Sequence, residues 1–168
     1  MRLGIDTRSD RNDGGFTLVE LLIVVLIIAV LIAIGIPTFL GARKRAQDRA
    51  AQSSLRLAAT AAKLVYTNTE DYTRATTSEL GSSETSLAFV AHGTPSTGPT
   101  EVSVQSTSPT RFYAAALSKD GKCWLLRDVA SAQGSDGGTM WSLGTTTSCT
   151  ADDAVAAEAT FVRDLASL

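Results

Sequence analysis

The 168-residue sequence is poor in cysteine, histidine, aromatics and charge. Its one histidine, His92, has no neighbouring ligand pattern, which excludes a histidine-built metal site and reads as an ordinary loop residue. No Ser-His-Asp set or phosphate-binding glycine loop stands in the chain, so catalytic, cofactor-binding and metal residues are all expected to be none, and the protein is not expected to be an enzyme. Charged residues are 19%, the formal net charge is −2 and the pI is near 5.3, which excludes binding of nucleic acid through a broad basic face. The only cysteines are Cys123 and Cys149, too few for a disulfide-built scaffold. An even count far beyond an apolar segment points to one disulfide in an oxidising compartment; two buried free thiols are the alternative. The most consequential absence is local: no charge occurs from Leu21 through Ala42, and no polar side chain from Leu21 to Ile34.

A helix over that stretch would reach roughly 33 Å, the thickness of a hydrocarbon core. Each Leu, Ile or Val favours insertion by roughly 0.3–0.6 kcal/mol and a central acid opposes it by about 3, so the run outweighs Glu20 at its edge. Insertion does not explain why the carboxylate is there. A secretory signal peptide wants a positive flank and a short core ending in a small-residue cleavage site. Here the flank MRLGIDTRSDRNDGG balances three Arg against three Asp, the core is too long, and IGIPTFLGA is a poor cleavage site. A plain membrane anchor leaves Gly14-Gly15 and Glu20 without a role.

Gly15-Phe16-Thr17-Leu18-Val19-Glu20, followed by the apolar run and Pro37, resembles the class III leader junction of type IV pilins and pseudopilins. The resemblance spans Gly15 to Pro37 and fades beyond about Val65. It implies that a prepilin peptidase cuts after Gly15 and methylates the new amine of Phe16. It also implies a role for Glu20 in assembly. An unpaired carboxylate among bundled apolar helices is costly, and the amine of a neighbouring subunit's Phe16 is its natural partner, setting axial register. The leader departs from the family pattern in carrying Asp13 two residues before the cut. Arg43, Lys44, Arg45 and Arg49 after the span favour a cytoplasmic C-terminal side by positive-inside counting. The family places that side outside, and the junction motif is the more specific signal.

Beyond Pro37 the chain turns amphipathic. Leu57, Ala61, Leu64 and Val65 recur at helical spacing, with Leu55, Ala58 and Ala62 beside them, the broad stripe of a helix packed on a sheet. One long helix over about 17–66 is expected, interrupted near Gly35-Ile36-Pro37, where proline removes a hydrogen bond. Arg43 to Arg49, with Asp48, read either as solvated charge at the membrane exit or as bridges to neighbouring subunits. Residues 68–109, rich in Ser, Thr and Pro, read as loops with short helical or strand pieces. RFYAAALS and KCWLLRD are strand-like and joined by Asp120-Gly121, a tight-turn signal. TMWSLG reads as a third strand after an Asp136-Gly137-Gly138 turn, EVSVQS as an edge strand, and the tail from Ala151 to Leu168 as a short helix packed on the domain.

The expected fold is therefore α+β: a long N-terminal helical spine, half transmembrane and half amphipathic, packed on a small antiparallel sheet. The expected divisions are a leader at 1–15, removed; an assembly helix at 16–42; the amphipathic half of the spine at 43–66; and a globular domain at 67–168. The resemblance implies a structural subunit that begins in the inner membrane and ends in an extracellular type IV filament. Such filaments serve adhesion, twitching motility or DNA uptake. Its partners would be identical subunits, prepilin peptidase, the assembly machinery of the inner membrane, the membrane before assembly, and nucleic acid only through a DNA-uptake role. Gly15 and Phe16 are the processing residues, and Glu20, Gly35 and Pro37 the assembly residues. The loop from Cys123 to Cys149 resembles the C-terminal disulfide loop of pilins. A pseudopilin of a type II secretion system shares every N-terminal feature, and a monomeric membrane-anchored binding domain would need neither Glu20 nor cleavage.

Overall fold

The computed structural model describes residues 15–130, 137–144 and 148–168, which fall into two compact units divided between Leu40 and Gly41. The leader residues before Gly15, Asp13 and Gly14 included, and Asp136 of the expected turn lie outside the described residues.

The long helix α1 covers Leu18–Thr69 and contains Pro37. The expected interruption near Gly35 to Pro37 is absent: helical geometry passes through the proline. Pro37 has no N–H for the carbonyl four residues before it, and a single lost bond does not end a helix that continues for several turns on either side. Thr38 Oγ1 donates to the Ile34 carbonyl at 3.2 Å in the same turn.

In the second unit, α1 buries Asp48, Ala51, Ser54, Leu55, Ala58, Ala59, Ala61, Ala62 and Val65. Ala61 and Val65 of the expected stripe are inside, whereas Leu57 and Leu64 are 40% and 53% exposed. The inward face is built mainly of alanines, whose small side chains let the helix lie close to the sheet. After α1 come a turn of 3-10 helix at Tyr72–Arg74, then α2 (Thr77–Ser83), β1 (Ala88–Ala91) and β2 (Glu101–Ser108). The strands β3 (Arg111–Leu117), β4 (Cys123–Val129) and β5 (Gly138–Leu143) follow, then α3 (Ala151–Ala156) and two short 3-10 turns.

The five strands lie in the order β1-β2-β3-β4-β5, antiparallel except that β1 runs parallel to β2. EVSVQS is therefore not an edge strand: β2 is interior, and Ala88–Ala91, too short for a clear alternation, covers its outer side. The expected hairpin is β3–β4, closed by the Ser118 carbonyl accepting from the Gly121 N–H at 2.9 Å. Gly121 sits at φ +88°, a conformation that disfavours a side chain. TMWSLG is β5, as expected.

Both faces of the sheet are covered, which is why every residue of β4 is buried. Phe112, Ala114, Ala116, Trp124, Leu126 and Trp141 form one core with Leu55, Ala58 and Ala62 of α1. Tyr113, Ala115, Cys123 and Leu125 form a second with Cys149 and Ala154 on the opposite face. The tail is only partly helical: α3 is capped by Thr150 with Asp153 in a reciprocal capping box. Farther on, Val162 pairs with Trp141 through backbone bonds of 2.7 and 2.8 Å, closing part of the β5 edge.

Candidate assembly site

The first turn of α1 carries a capping box. The Glu20 N–H donates to Thr17 Oγ1 at 3.2 Å, while Glu20 Oε2 accepts from the Thr17 N–H at 3.2 Å and from Thr17 Oγ1 at 3.0 Å. The carboxylate thus satisfies an otherwise unpaired donor of the helix N-terminus and lies where the helix dipole favours an anion. Sequence reading singled out Glu20 and missed Thr17, although Thr-x-x-Glu before an apolar run is the signature of this cap. Both contacts use Oε2; among the described residues Oε1 accepts no hydrogen bond. Phe16, one residue before Thr17, is 81% exposed. Gly15, Phe16 and Glu20 are thereby brought together at one end of the helix.

From Phe16 to Leu40 the large apolar side chains are 48–81% exposed on every side of the helix. This segment is long and apolar enough to cross a membrane by length and composition. Gly35 lies within it, and a side-chain carbon built there would meet no atom within 4 Å. Nothing inside the subunit requires glycine at that position. Gly35 and Pro37 share a turn but touch no functional group.

The second unit is held by three polar clusters that sequence reading did not find. Buried Asp128 accepts from Tyr72 Oη at 2.7 Å on Oδ1, while its Oδ2 pairs with Lys63 Nζ at 2.9 Å and accepts from the Thr139 hydroxyl. Burial, with the neighbouring Asp128, pushes the Tyr72 hydroxyl pKa far upward, so the phenol stays a donor. Asp48 accepts from Lys122 Nζ at 2.7 Å and from Trp124 Nε1 at 3.4 Å, tying α1 to the end of the β3–β4 hairpin. Burial works against its charge, but hydrogen bonds from Lys122, Ser118 and Trp124 outweigh it and hold the carboxyl below the usual range. On the opposite face Glu158 accepts from Tyr113 Oη at 2.7 Å and pairs with Arg127 at 2.9 Å and with Arg111. There too partial burial is outweighed, by Tyr113 and the two guanidinium groups, and the Glu158 pKa is lowered. Charged residues inside the fully buried strand β4, Arg127 and Asp128, were the available signal: buried charges require partners.

Cys123 and Cys149 are joined in a disulfide with Cα atoms 5.3 Å apart, of the two alternatives the one with a bond. Gly144 allows the close approach, since a side-chain carbon there would lie 3.2 Å from Cys123 Cβ. His92 Nδ1 lies 2.9 Å from Asp152 Oδ1, a surface pair between the loop after β1 and α3. Among the described residues no group of His, Cys, Asp and Glu is composed to hold a metal ion.

Residues 10–36 match the family model described as the prokaryotic N-terminal methylation motif. The chain is 35% identical over 117 residues to the type IV wide pilus major component PilA4 of Thermus thermophilus, covering 68% of this chain and 81% of that protein. It is 38% identical over 66 residues to the type IV major pilin protein PilA of Myxococcus xanthus, covering 39% of this chain and 30% of that protein. No solved structure matches significantly.

Proposed function

Given that the chain belongs to the type IV pilin family and is a structural pilus subunit, we propose that it polymerises through its N-terminal helix after cleavage behind Gly15. The observation that carries this reading is the apolar surface from Phe16 to Leu40, exposed all round and overlapped as far as Ile36 by the methylation motif. Such a surface needs lipid before assembly and neighbouring helices after it.

In this proposal the leader ends at Gly15, residues 16–42 form the assembly helix, 43–66 the amphipathic half of the spine and 67–168 the globular domain. Glu20 Oε1, free of the cap, receives the methylated amine of Phe16 from a neighbouring subunit. Oε2 keeps its bonds to Thr17, so the carboxylate remains oriented before and after assembly. Gly35 and Pro37 weaken the helix locally, by about 1 and 3 kcal/mol relative to alanine. In a bilayer the cost of unpaired backbone keeps the segment helical, while inside a filament neighbours can cover an extended stretch. Extension there changes the rise from about 1.5 to over ~3 Å per residue and resets the axial offset of the domains. The function is mechanical, with no catalytic role. The relatives' names speak for a pilus subunit over a secretion pseudopilin. A monomeric binding domain gives no reason for the methylation motif.

Mass spectrometry of the N-terminal peptide from sheared surface material tests the reading. The expected peptide begins at Phe16 with a methylated amine. An intact leader, or a cut beyond Ile34, would overturn it.

A further inference from the structure

Arg43, Lys44, Arg45 and Arg49 are the first positive charges after Glu20, and polymerisation through the apolar helix leaves them without a task. All four are exposed. Successive helical residues point about 100° apart, so positions 43, 44 and 45 spread over about 200° of the helix circumference. The fold brings more cations to this place. The β3–β4 turn lies against it through Lys44 Nζ to Asp120 at 3.6 Å and Lys122 Nζ to Asp48 at 2.7 Å, and carries exposed Lys119 as well.

The two acids of the cluster are turned away from solvent: the Asp120 and Asp48 side chains are 18% and 10% exposed. Asp48 is already held by Lys122 and Trp124, so it is not free to bridge to another subunit. Among the described residues Arg43, Arg45, Arg49 and Lys119 form no ion pair. Outside the cluster the chain is net acidic, since the whole carries −2. Six cations with two inward acids make a one-signed outer surface in an otherwise acidic protein.

We propose that Arg43, Arg45, Arg49 and Lys119, with Lys44 and Lys122, form a basic collar that binds anionic phospholipid headgroups while the subunit is held in the membrane. The proposal rests on the reading of residues 16–42 as membrane-spanning. Chain position favours lipid over an acidic protein or a nucleic acid. Arg43 comes three residues after Leu40, and a helix rises about 1.5 Å per residue, so the collar begins within a turn of the apolar run. Long arginine and lysine stems can lie along apolar surface while their heads reach phosphates, and a ring of cations meets headgroups at any rotation of the helix. Because the collar serves whichever leaflet it emerges into, it also gives a use to cations that run against positive-inside counting.

The test reconstitutes the full chain, leader removed, in phosphatidylcholine vesicles containing spin-labelled phosphatidylglycerol or spin-labelled phosphatidylcholine. Electron paramagnetic resonance measures the fraction of each label immobilised by protein. At low salt, about fivefold preference for phosphatidylglycerol is expected, the factor one cation beside an anionic headgroup contributes. High salt should bring the preference close to unity; the triple substitution Arg43→Gln/Arg45→Gln/Arg49→Gln, which leaves Lys44, Lys119 and Lys122 in place, should lower it, and lysine at the same positions should restore most of it. Immobilised lipid without preference in the wild type overturns the collar while leaving the membrane reading intact. No immobilised lipid of either kind overturns the membrane reading itself. A preference that survives high salt also refutes the collar, and that arm holds even if the triple variant misfolds.

Discussion

The two halves of α1 are one helix in two regimes. In the first, from Leu18 to Leu40, every large apolar residue is exposed and leucine, isoleucine and valine are spread over all sides. In the second, from Gly41 to Thr69, one face is buried, and it is made largely of alanine. Among the described residues the more apolar half is exposed, while the less apolar half supplies part of the domain's core. Hydropathy therefore marks the partner that lies outside the subunit, and small, shape-fitting residues mark the partner inside it.

The largest expected effect concerns the first half. Glu20→Ala should leave insertion intact and abolish most filament assembly, counted as surface fibres by electron microscopy. Abundant normal fibres from that variant would remove the carboxylate from the assembly mechanism. The same chemical change placed in each half sharpens the contrast. Leu55→Ala, at a site with 0% exposure, should destabilise the domain by about 2–5 kcal/mol through the cavity it leaves. Leu26→Ala, at 64% exposure, should leave domain stability unchanged within roughly 0.5 kcal/mol and act on assembly alone. Urea titration of the full chain in detergent, followed by fluorescence of Trp124 and Trp141, reads both.

Replacing both cysteines by serine should cost roughly 3 kcal/mol in the same titration, the stabilisation expected for closing a loop with a sequence separation of 26. Leu57→Ala and Leu64→Ala lie on the outward face of the second half. Each should cost under about 1 kcal/mol, far less than Leu55→Ala, and a loss as large as that of Leu55 would refute the packed face described above. The smallest effect is that of pH. Asp48 and Glu158 have lowered pKa values, so their stabilisation is complete above the ordinary carboxylate range and is lost as pH falls through their folded values. The urea midpoint should fall on acidification through that range, and Asp48→Asn should flatten the fall. An unchanged slope in that variant would deny Asp48 its share.

Local signals were legible wherever the physics is local. The apolar run, the Asp120-Gly121 turn and the β3–β4 hairpin follow from composition and short-range geometry. Leu57 and Leu64 misled because periodicity alone does not say which of two adjacent stripes faces the sheet. A helix drawn close to Ala114 and Ala116 of β3 selects its alanine stripe and turns bulky leucines outward. EVSVQS looked like an edge because no strand was legible before it to cover its outer side; the parallel pairing with the short Ala88–Ala91 is decided by tertiary structure. At the assembly site Glu20 was legible, and so was Thr17 by the capping signature. Whether Pro37 breaks the helix was not, because a missing hydrogen bond costs different amounts in different surroundings.

Sequence by itself determined the methylation motif, the exposed apolar helix with its single carboxylate, and the presence of a small sheet domain after it. These depend on residue type and spacing over a few turns. Tertiary structure alone decided where the charges go. Asp128 came to lie between Lys63, Tyr72 and Thr139, Glu158 between Arg111 and Arg127, and Lys122 beside Asp48 of α1. Apart from Thr139, those partners are separated by tens of residues, and only folding of the sheet against two sets of helices brings them within a few ångströms, where burial makes an unpaired charge too costly to keep.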